Sequence, residues 1–378
     1  MSGFHEVIVA GLGAMGSCTL QHLARRGHRV MGIDRFAPPH GMGSSHGKSR
    51  IIREAYFEDP RYVPLVQHAY GGWAALEAES GMRLFRQTGG LMLGPPEGML
   101  VRGARRSADL HGLAHELLDA REVARRFPAF RPDPDWIGVW EPRAGMLHPE
   151  RAIEAALTVA RAHGAEVRTH ETVLGWDAIP GGVEVSTTTG RHRAAALVVS
   201  VGAWTAPLLA DLALPLVVQR NVLHWFTPAA HAEHFTPEAL PIFISEFAPA
   251  QSWYGFPDTG DGVKLARHHH GVATTADAAD RTVSAGEVTE MRTLIARLMP
   301  DANGDHRESA ACLYTNAPDE HFLLGRNPRQ PNVIVASPCS GHGFKFASAI
   351  GEILADLATE REPAFDLSLF AIDRFVTS

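Results

Sequence analysis

Hydrophobic and polar positions change period several times along the chain. Residues 6–10, Glu-Val-Ile-Val-Ala, form a short apolar run of strand type. Glycines follow at 11, 13 and 16, and Gly16, Leu20, Leu23 and Ala24 then recur at helical spacing. Arg25 and Arg26 fall in the last turn, with Gly27 placed to cap it. Residues 29–33 make a second strand that closes on Asp34, so the chain opens with a βαβ unit. Farther on, the pattern predicts helices over 63–80 and 149–163, strands over 165–169, 182–186 and 194–201, and a mixed stretch over 85–145. Short strands and loops fill 219–316 and end in a helix near 287–298. A strand over 332–336 precedes a helix with the apolar stripe Phe346, Ile350, Ile353, Leu354 and Leu357. The most apolar long window, 194–218, is interrupted by Pro207, Asp211 and Pro215. It reads as a buried strand, a short helix and a turn, and not as a membrane span. No internal repeat or low-complexity segment is present.

The 378 residues include 35 basic and 42 acidic side chains, for a net charge of −7, with no run of one sign. That excludes a polybasic surface for nucleic acid or membrane. Three cysteines, Cys18, Cys312 and Cys339, match neither a disulfide framework nor a zinc site. They point to a reducing compartment. Residues 1–5 lack the basic region of a signal peptide, so a cytoplasmic location is expected.

Gly11-Leu-Gly13-Ala-Met-Gly16 is the G-x-G-x-x-G pattern. It follows a strand, opens a helix and has an acid at the end of the next strand, which is the context a dinucleotide site requires. Gly11 makes the tight turn, Gly13 lets backbone N–H groups reach a pyrophosphate, and Gly16 lets helix and strand approach. The helix N-terminus favours phosphate charge. Asp34 accepts from ribose hydroxyls and disfavours a 2′-phosphate. There is one such pattern, which fits an enzyme that holds FAD and uses no nicotinamide. The run Leu197-Val-Val-Ser-Val-Gly202-Ala-Trp204 resembles a late strand of many FAD enzymes.

Four blocks now make the reading specific: the glycine pattern through Asp34; Gly43-Ser-Ser-His46-Gly47-Lys-Ser-Arg50-Ile-Ile-Arg53; Cys312-Leu-Tyr314-Thr315 with Asp319-Glu-His-Phe322; and Ser340-Gly-His342-Gly-Phe-Lys345-Phe346. A shorter block, Tyr254-Gly-Phe-Pro257 leading to Val263-Lys264-Leu265, agrees. Over nearly its whole length the chain resembles the monomeric sarcosine oxidase and N-methyltryptophan oxidase family. The resemblance implies an α/β architecture. A Rossmann-like FAD-binding domain of glutathione-reductase type would be assembled from residues 1–85, 147–218 and 317–378. A mixed-sheet substrate domain would come from 86–146 and 219–316. It further implies an FAD-dependent oxidase of a secondary amino acid that forms an imine and reduces O2 to H2O2, acting as a monomer.

By the same resemblance Cys312 is joined covalently to the flavin 8α-methyl position. The cofactor is contacted by Gly11, Gly13, Ala14, Met15, Gly16, Asp34, Arg35, Ser44, His46, Arg50, Val173, Gly202, Trp204, Gly341, Gly343, Phe344 and Lys345. Arg53 and Lys345 take the family positions for holding a substrate carboxylate, a task suited to a guanidinium fork and an ammonium. Were residues 50–53 helical, Arg50 and Arg53 would share a face. On a strand, Lys264 faces away from Val263 and Leu265, and the resemblance puts it over flavin N5 as the site of O2 activation. His268 lies near the substrate amine, and Tyr254 and Tyr314 line the pocket. His269 and His270 are expected at the surface, since consecutive strand residues alternate faces and make a poor metal site. His342 is expected to shape the loop before Lys345.

Three positions depart from the family pattern: Arg267, whose extra cation would suit a second acidic group on the substrate, Cys339, and Lys48 in place of an acid. The segment 221–251, expected to roof the pocket, has no close match. Sarcosine, N-methyltryptophan and a cyclic imino acid such as pipecolate or proline remain alternatives. A flavin dehydrogenase with another acceptor, an NAD-dependent dehydrogenase and a non-catalytic dinucleotide binder are competing classes.

Overall fold

A computed structural model of the chain describes residues 4–375. Residues 1–3, part of the stretch read as lacking a signal-peptide region, lie outside the described residues. The first strand, His5–Ala10, pairs in parallel with Val30–Ile33 on one side and Arg191–Val199 on the other. An eight-stranded sheet grows from this centre in the order Val173–Ile179, Gly182–Thr187, Arg191–Val199, His5–Ala10, Val30–Ile33, Glu166–Arg168. Gln330–Ser337 also pairs with Arg191–Val199 and carries Leu323–Asn327 beside it.

Alternation along the central strands divides the core. Val7, Val9, Val198 and Ile334 join one apolar cluster with the helices Ala14–Arg25, Tyr62–Ser80, Pro149–Ala162 and Ala347–Ala358. Ile8, Ala10, Val199 and Val335 join another, on the opposite face, with Leu209, Leu212 and Leu214. Both faces are covered, so these strands read as nearly continuous apolar runs. Helices Ala14–Arg25 and Ala347–Ala358 come so close that a side chain at Gly351 would lie 2.6 Å from Cys18 Cβ.

The second sheet has nine strands, in the order Val272–Thr274, Val217–Phe226, Val263–His268, Gln251–Phe256, Ile242–Ala248, Gly90–Gly94, Ile137–Glu141, Glu116–Asp119, with His306–Asn316 also paired to Val217–Phe226. Its aromatic core of Phe130, Phe226, Phe235, Phe243 and Trp253 packs under the helix Ala285–Leu298. That helix begins in a capping box between Ser284 and Glu287. Arg50–Ile52, Gly145–Leu147 and Phe85–Gln87 form a small third sheet.

Several expectations change. Residues 50–52 are a strand, not a helix, because they pair with Gly145–Leu147. The mixed stretch contains helices Met99–His111 and Ala120–Arg126. The exposed strand Val173–Ile179, which the pattern does not show, forms a hairpin with Gly182–Thr187. The described residues contain no helix long and apolar enough to cross a membrane.

The Gly351 contact yields a stability test. Gly351→Val forces two helices apart and is expected to lower the unfolding free energy by about 1–3 kcal/mol. Urea denaturation would show this as a lower midpoint at unchanged slope.

Candidate active site

A large cavity runs from the first glycines to the second sheet and leaves about 2100 Å³ of empty space, some of it open to solvent. Gly11 has φ +85°, and a Cβ there would lie 2.6 Å from Ser200 O. A Cβ at Gly16 would lie 1.8 Å from Gly11 O, so only glycine lets the helix start against the strand. Gly16 thus serves packing and does not itself line the cavity, whereas Gly11, Gly13, Ala14 and Met15 do. The helix Ala14–Arg25 has Gly13 at its N-cap and no side-chain cap. Ala14 N donates to Ser45 Oγ at 3.3 Å, which leaves the N–H groups of Met15 and Gly16 for an anion.

Asp34, buried at the next strand end, accepts from Leu12 N at 2.7 Å and from Phe36 N at 2.8 Å. It also lines the cavity, where each carboxylate oxygen keeps acceptor capacity for a ribose. Arg35, Val173, Gly202 and Trp204 surround the same end. Asp277 ties Arg35 to Trp204, accepting from each at 2.7 and 3.0 Å. Ser44 lines the cavity with a buried Oγ that has no partner in the chain. The orphaned hydroxyl, the uncapped helix start and the glycine turn together fit a dinucleotide. His46 lies outside this lining. It borders a smaller pocket with Lys48, Glu150 and Trp225. Burial there pushes the His46 imidazole down to about 4.

Beyond this end the cavity gathers positive charge. Arg50 donates to the carbonyls of Ser44 and Ser49 at 2.7 and 2.8 Å. Cys312, 1% exposed, has its Sγ 3.6 Å from Arg50 Nη2 and lines the cavity. Lys264 does face away from Val263 and Leu265, which belong to the aromatic core. Its Nζ donates to Gly47 O at 2.7 Å and Ser49 O at 2.8 Å. Burial, followed by the Arg50 charge, lowers its pKa well below the usual lysine range. Lys264 sits behind the Gly47–Ser49 loop and outside the cavity lining.

Arg53 follows its strand into a loop and is 1% exposed. Its Nη2 donates to both oxygens of Glu58 at 2.8 and 2.6 Å, and its Nη1 to Ala55 O at 2.8 Å. The Tyr56 ring lies 4.3 Å from the guanidinium carbon. Burial pushes the Glu58 carboxyl up, but Arg53, His342 and Lys345 outweigh it and hold the group below the ordinary range. Lys345 Nζ donates to His342 O at 2.6 Å. Burial and then the Arg53 charge push its ammonium down to about 7. His342 lies against Tyr56 and Phe322, and burial takes its imidazole to about 3.

Tyr254, His268 and Tyr314 line this end with Ile244 and Phe256. His268 Nδ1 is 3.3 Å from the Tyr314 hydroxyl, and burial keeps the imidazole well below its usual pKa. Gly341, Gly343, Phe344 and Cys339 complete the wall. A Cβ at Gly341 would lie 2.6 Å from the Tyr314 ring.

Two expectations about the histidine run and its neighbour are corrected. His269 is half-buried, not at the surface, with its ring 4.1 Å from that of His268. Arg267 faces away from the cavity and is spent on Glu290 and Gln251, so it offers no second cation to a substrate. Glu58, Tyr56 and Ile244 were not among the residues read from the sequence. A buried arginine needs a counter-charge, and Glu58, five residues on from Arg53, is the acid that a search for one would have found.

The FAD dependent oxidoreductase family matches residues 6–357. Monomeric sarcosine oxidase from Streptomyces avermitilis is 43% identical over 374 residues, covering 98% of this chain and 97% of that one. N-methyl-L-tryptophan oxidase from Yersinia pestis is 33% identical over 373 residues, covering 98% and 99%. The open form of NikD, described as an unusual amino acid oxidase, superposes with a TM-score of 0.86 at 26% identity, covering 98% of each chain.

The Lys345 environment sets a pH dependence. Above pH 7 its ammonium is increasingly neutral, and a bound carboxylate draws it back to the charged form. Acetate binding at pH 8 is therefore expected to take up protons, with affinity falling as pH rises from 7 towards 10. Calorimetry in buffers of different ionisation enthalpy measures the uptake, and a Lys345→Met protein should show none.

Proposed function

The chain belongs to the FAD dependent oxidoreductases, and on that premise we propose that it oxidises a small secondary amino acid, sarcosine foremost, and passes the electrons to O2. The observation that carries this reading is the convergence of Arg53 and Lys345 on the cavity end walled by Ile244, Tyr254, His268 and Tyr314. The two cations suit a carboxylate, and the aromatic wall suits a short apolar substituent. On this reading residues 1–85, 147–218 and 317–378 carry the dinucleotide, and 86–146 with 219–316 form the substrate side. On the same reading the enzyme is a cytoplasmic monomer, and the compartment accords with three free thiols.

FAD, when bound, supplies the two-electron acceptor. Gly11, Gly13, Ala14 and Met15 hold its pyrophosphate, and Asp34 the ribose. Arg35, Val173, Gly202 and Trp204 lie on the adenine side. Ser44, Arg50, Gly341, Gly343 and Phe344 face the ring, with Cys312 as the point of covalent attachment. Lys345 provides net charge for the substrate carboxylate, because Glu58 already offsets Arg53. The substrate amine must lose its proton before its lone pair can assist C–H cleavage. Arg50 and Lys345 lower the amine pKa by their charge. His268, held neutral by burial, accepts a hydrogen bond instead of adding a repelling cation. Lys264 lies outside the cavity lining, with its Nζ held by Gly47 O and Ser49 O, and on this reading it acts on the negative charge that O2 gains from across the Gly47–Ser49 loop.

Two substitutions test this reading. Lys264→Met should leave anaerobic flavin reduction by sarcosine nearly intact and slow reoxidation by about two orders of magnitude, the scale of losing one preorganised donor. Equal reoxidation rates would remove Lys264 from that role. Acid precipitation should leave the wild-type pellet yellow and release the flavin from Cys312→Ser.

A further inference from the structure

Glu141 closes the strand Ile137–Glu141 on the second sheet, where it pairs with Gly90. Its side chain is buried, 1% exposed, and lies outside the cavity lining. Oε1 accepts from Glu54 N at 2.7 Å and Oε2 from Ala55 N at 2.8 Å. Those two N–H groups belong to the peptide links that follow Arg53. The next carbonyl, Ala55 O, receives Arg53 Nη1 at 2.8 Å. One carboxylate thus grips the loop from outside, and the gripped loop holds the guanidinium.

The neighbouring charges leave Glu141 to this task. The Glu54 side chain turns instead to Arg143, 2.7 Å away. The loop is braced farther along as well: the Tyr56 carbonyl accepts from Ser107 Oγ, and Gly103 abuts the Phe57 backbone. Burial pushes the Glu141 carboxyl up to about 7, against the pull of its two backbone donors. A carboxyl buried at such expense in solvation, touching neither cavity nor solvent, has a purpose tied to what it holds.

We propose that Glu141 is a positioning residue for substrate recognition: its paired bonds to Glu54 N and Ala55 N preorganise the Arg53 loop to receive a carboxylate. The inference rests on the reading of Arg53 as a carboxylate ligand. A guanidinium fixed beforehand loses less freedom on binding. Removing the grip should therefore weaken binding of any small carboxylate while sparing the chemical step.

The test uses the flavin-loaded protein with acetate as the probe. Glu141→Gln keeps the shape but sets an amide NH2 against one backbone N–H. Acetate Kd and sarcosine KM are expected to rise together by roughly tenfold, the scale of losing one hydrogen bond to a charged acceptor. The kcat should stay within about threefold and the visible spectrum unchanged, because the lost interaction is one of uniform binding. Glu141→Asp keeps the charge with a shorter reach and should give a smaller rise. Acetate binding in Glu141→Gln within about twofold of wild type would overturn the proposal, as would a fall in kcat at constant acetate Kd. Hydrogen exchange on the wild-type protein applies even if neither variant folds. The amides of Glu54 and Ala55 should be slow with and without acetate, and exchange that slows only when acetate is added would refute preorganisation. A wild-type protein that binds no acetate would bring down the Arg53 reading itself. Unaltered binding in the variant would bring down only the role of Glu141.

Discussion

Positive charge taken out of water is the condition to which the rest of the molecule is fitted. Arg53, Lys264 and Lys345 are 1%, 2% and 5% exposed, and Arg50 is half-buried close by. A bare cation in such a place is prohibitively unfavourable. Each is instead met by oxygen: Arg50 and Lys264 by carbonyls of the 44–49 loop, Lys345 by His342 O, and Arg53 by Glu58 and Ala55 O. Backbone carbonyls soften the charge without cancelling it. Only Arg53 has a full counter-ion, so the net field at the cavity end comes from Arg50 and from Lys345 in its protonated form.

This requirement explains the construction around the cavity. A loop that turns several carbonyls inward cannot be a regular helix or strand, which would spend them on itself. The 44–49 and 53–58 segments are accordingly irregular, flanking the short strand Arg50–Ile52. They need bracing from outside, and the bracing comes from distant chain: Glu150 accepts from Gly47 N and Lys48 N, and Glu141 from Glu54 N and Ala55 N. Two acids far along the chain thus hold two loops that present cations.

How much of this can be read beforehand follows from the range of the interactions. The glycine turn, the helix after it and Asp34 lie within one short βαβ unit, so local pattern suffices for that half of the cavity. The alternation of Val263, Lys264 and Leu265 is likewise local. The geometry at Arg50 and Arg53 is not. Residues 50–52 become a strand because Gly145–Leu147, almost a hundred positions on, pairs with them. Spacing three apart puts Arg50 and Arg53 on one face only in a helix, and the distant partner strand makes the segment extended. Glu58 and Glu141 escaped notice because an isolated acid in a sequence resembles any solvated acid, and only burial distinguishes them. Val173 could be named a contact, yet its strand stayed hidden, because Val173–Ile179 is half exposed and has no apolar run.

The double service of the 44–49 loop has a consequence for how such a protein can diverge. Ser49 O receives both Arg50 and Lys264, and a Cβ at Gly47, where φ is +98°, would lie 2.5 Å from Leu223 Cδ1. Insertions or swaps there would disturb two jobs at once and should seldom survive. The wall of Ile244 and Tyr254 belongs to the second sheet and holds none of these cations. New appetites for substrate can therefore evolve by repainting that wall, while the charged floor is inherited unchanged.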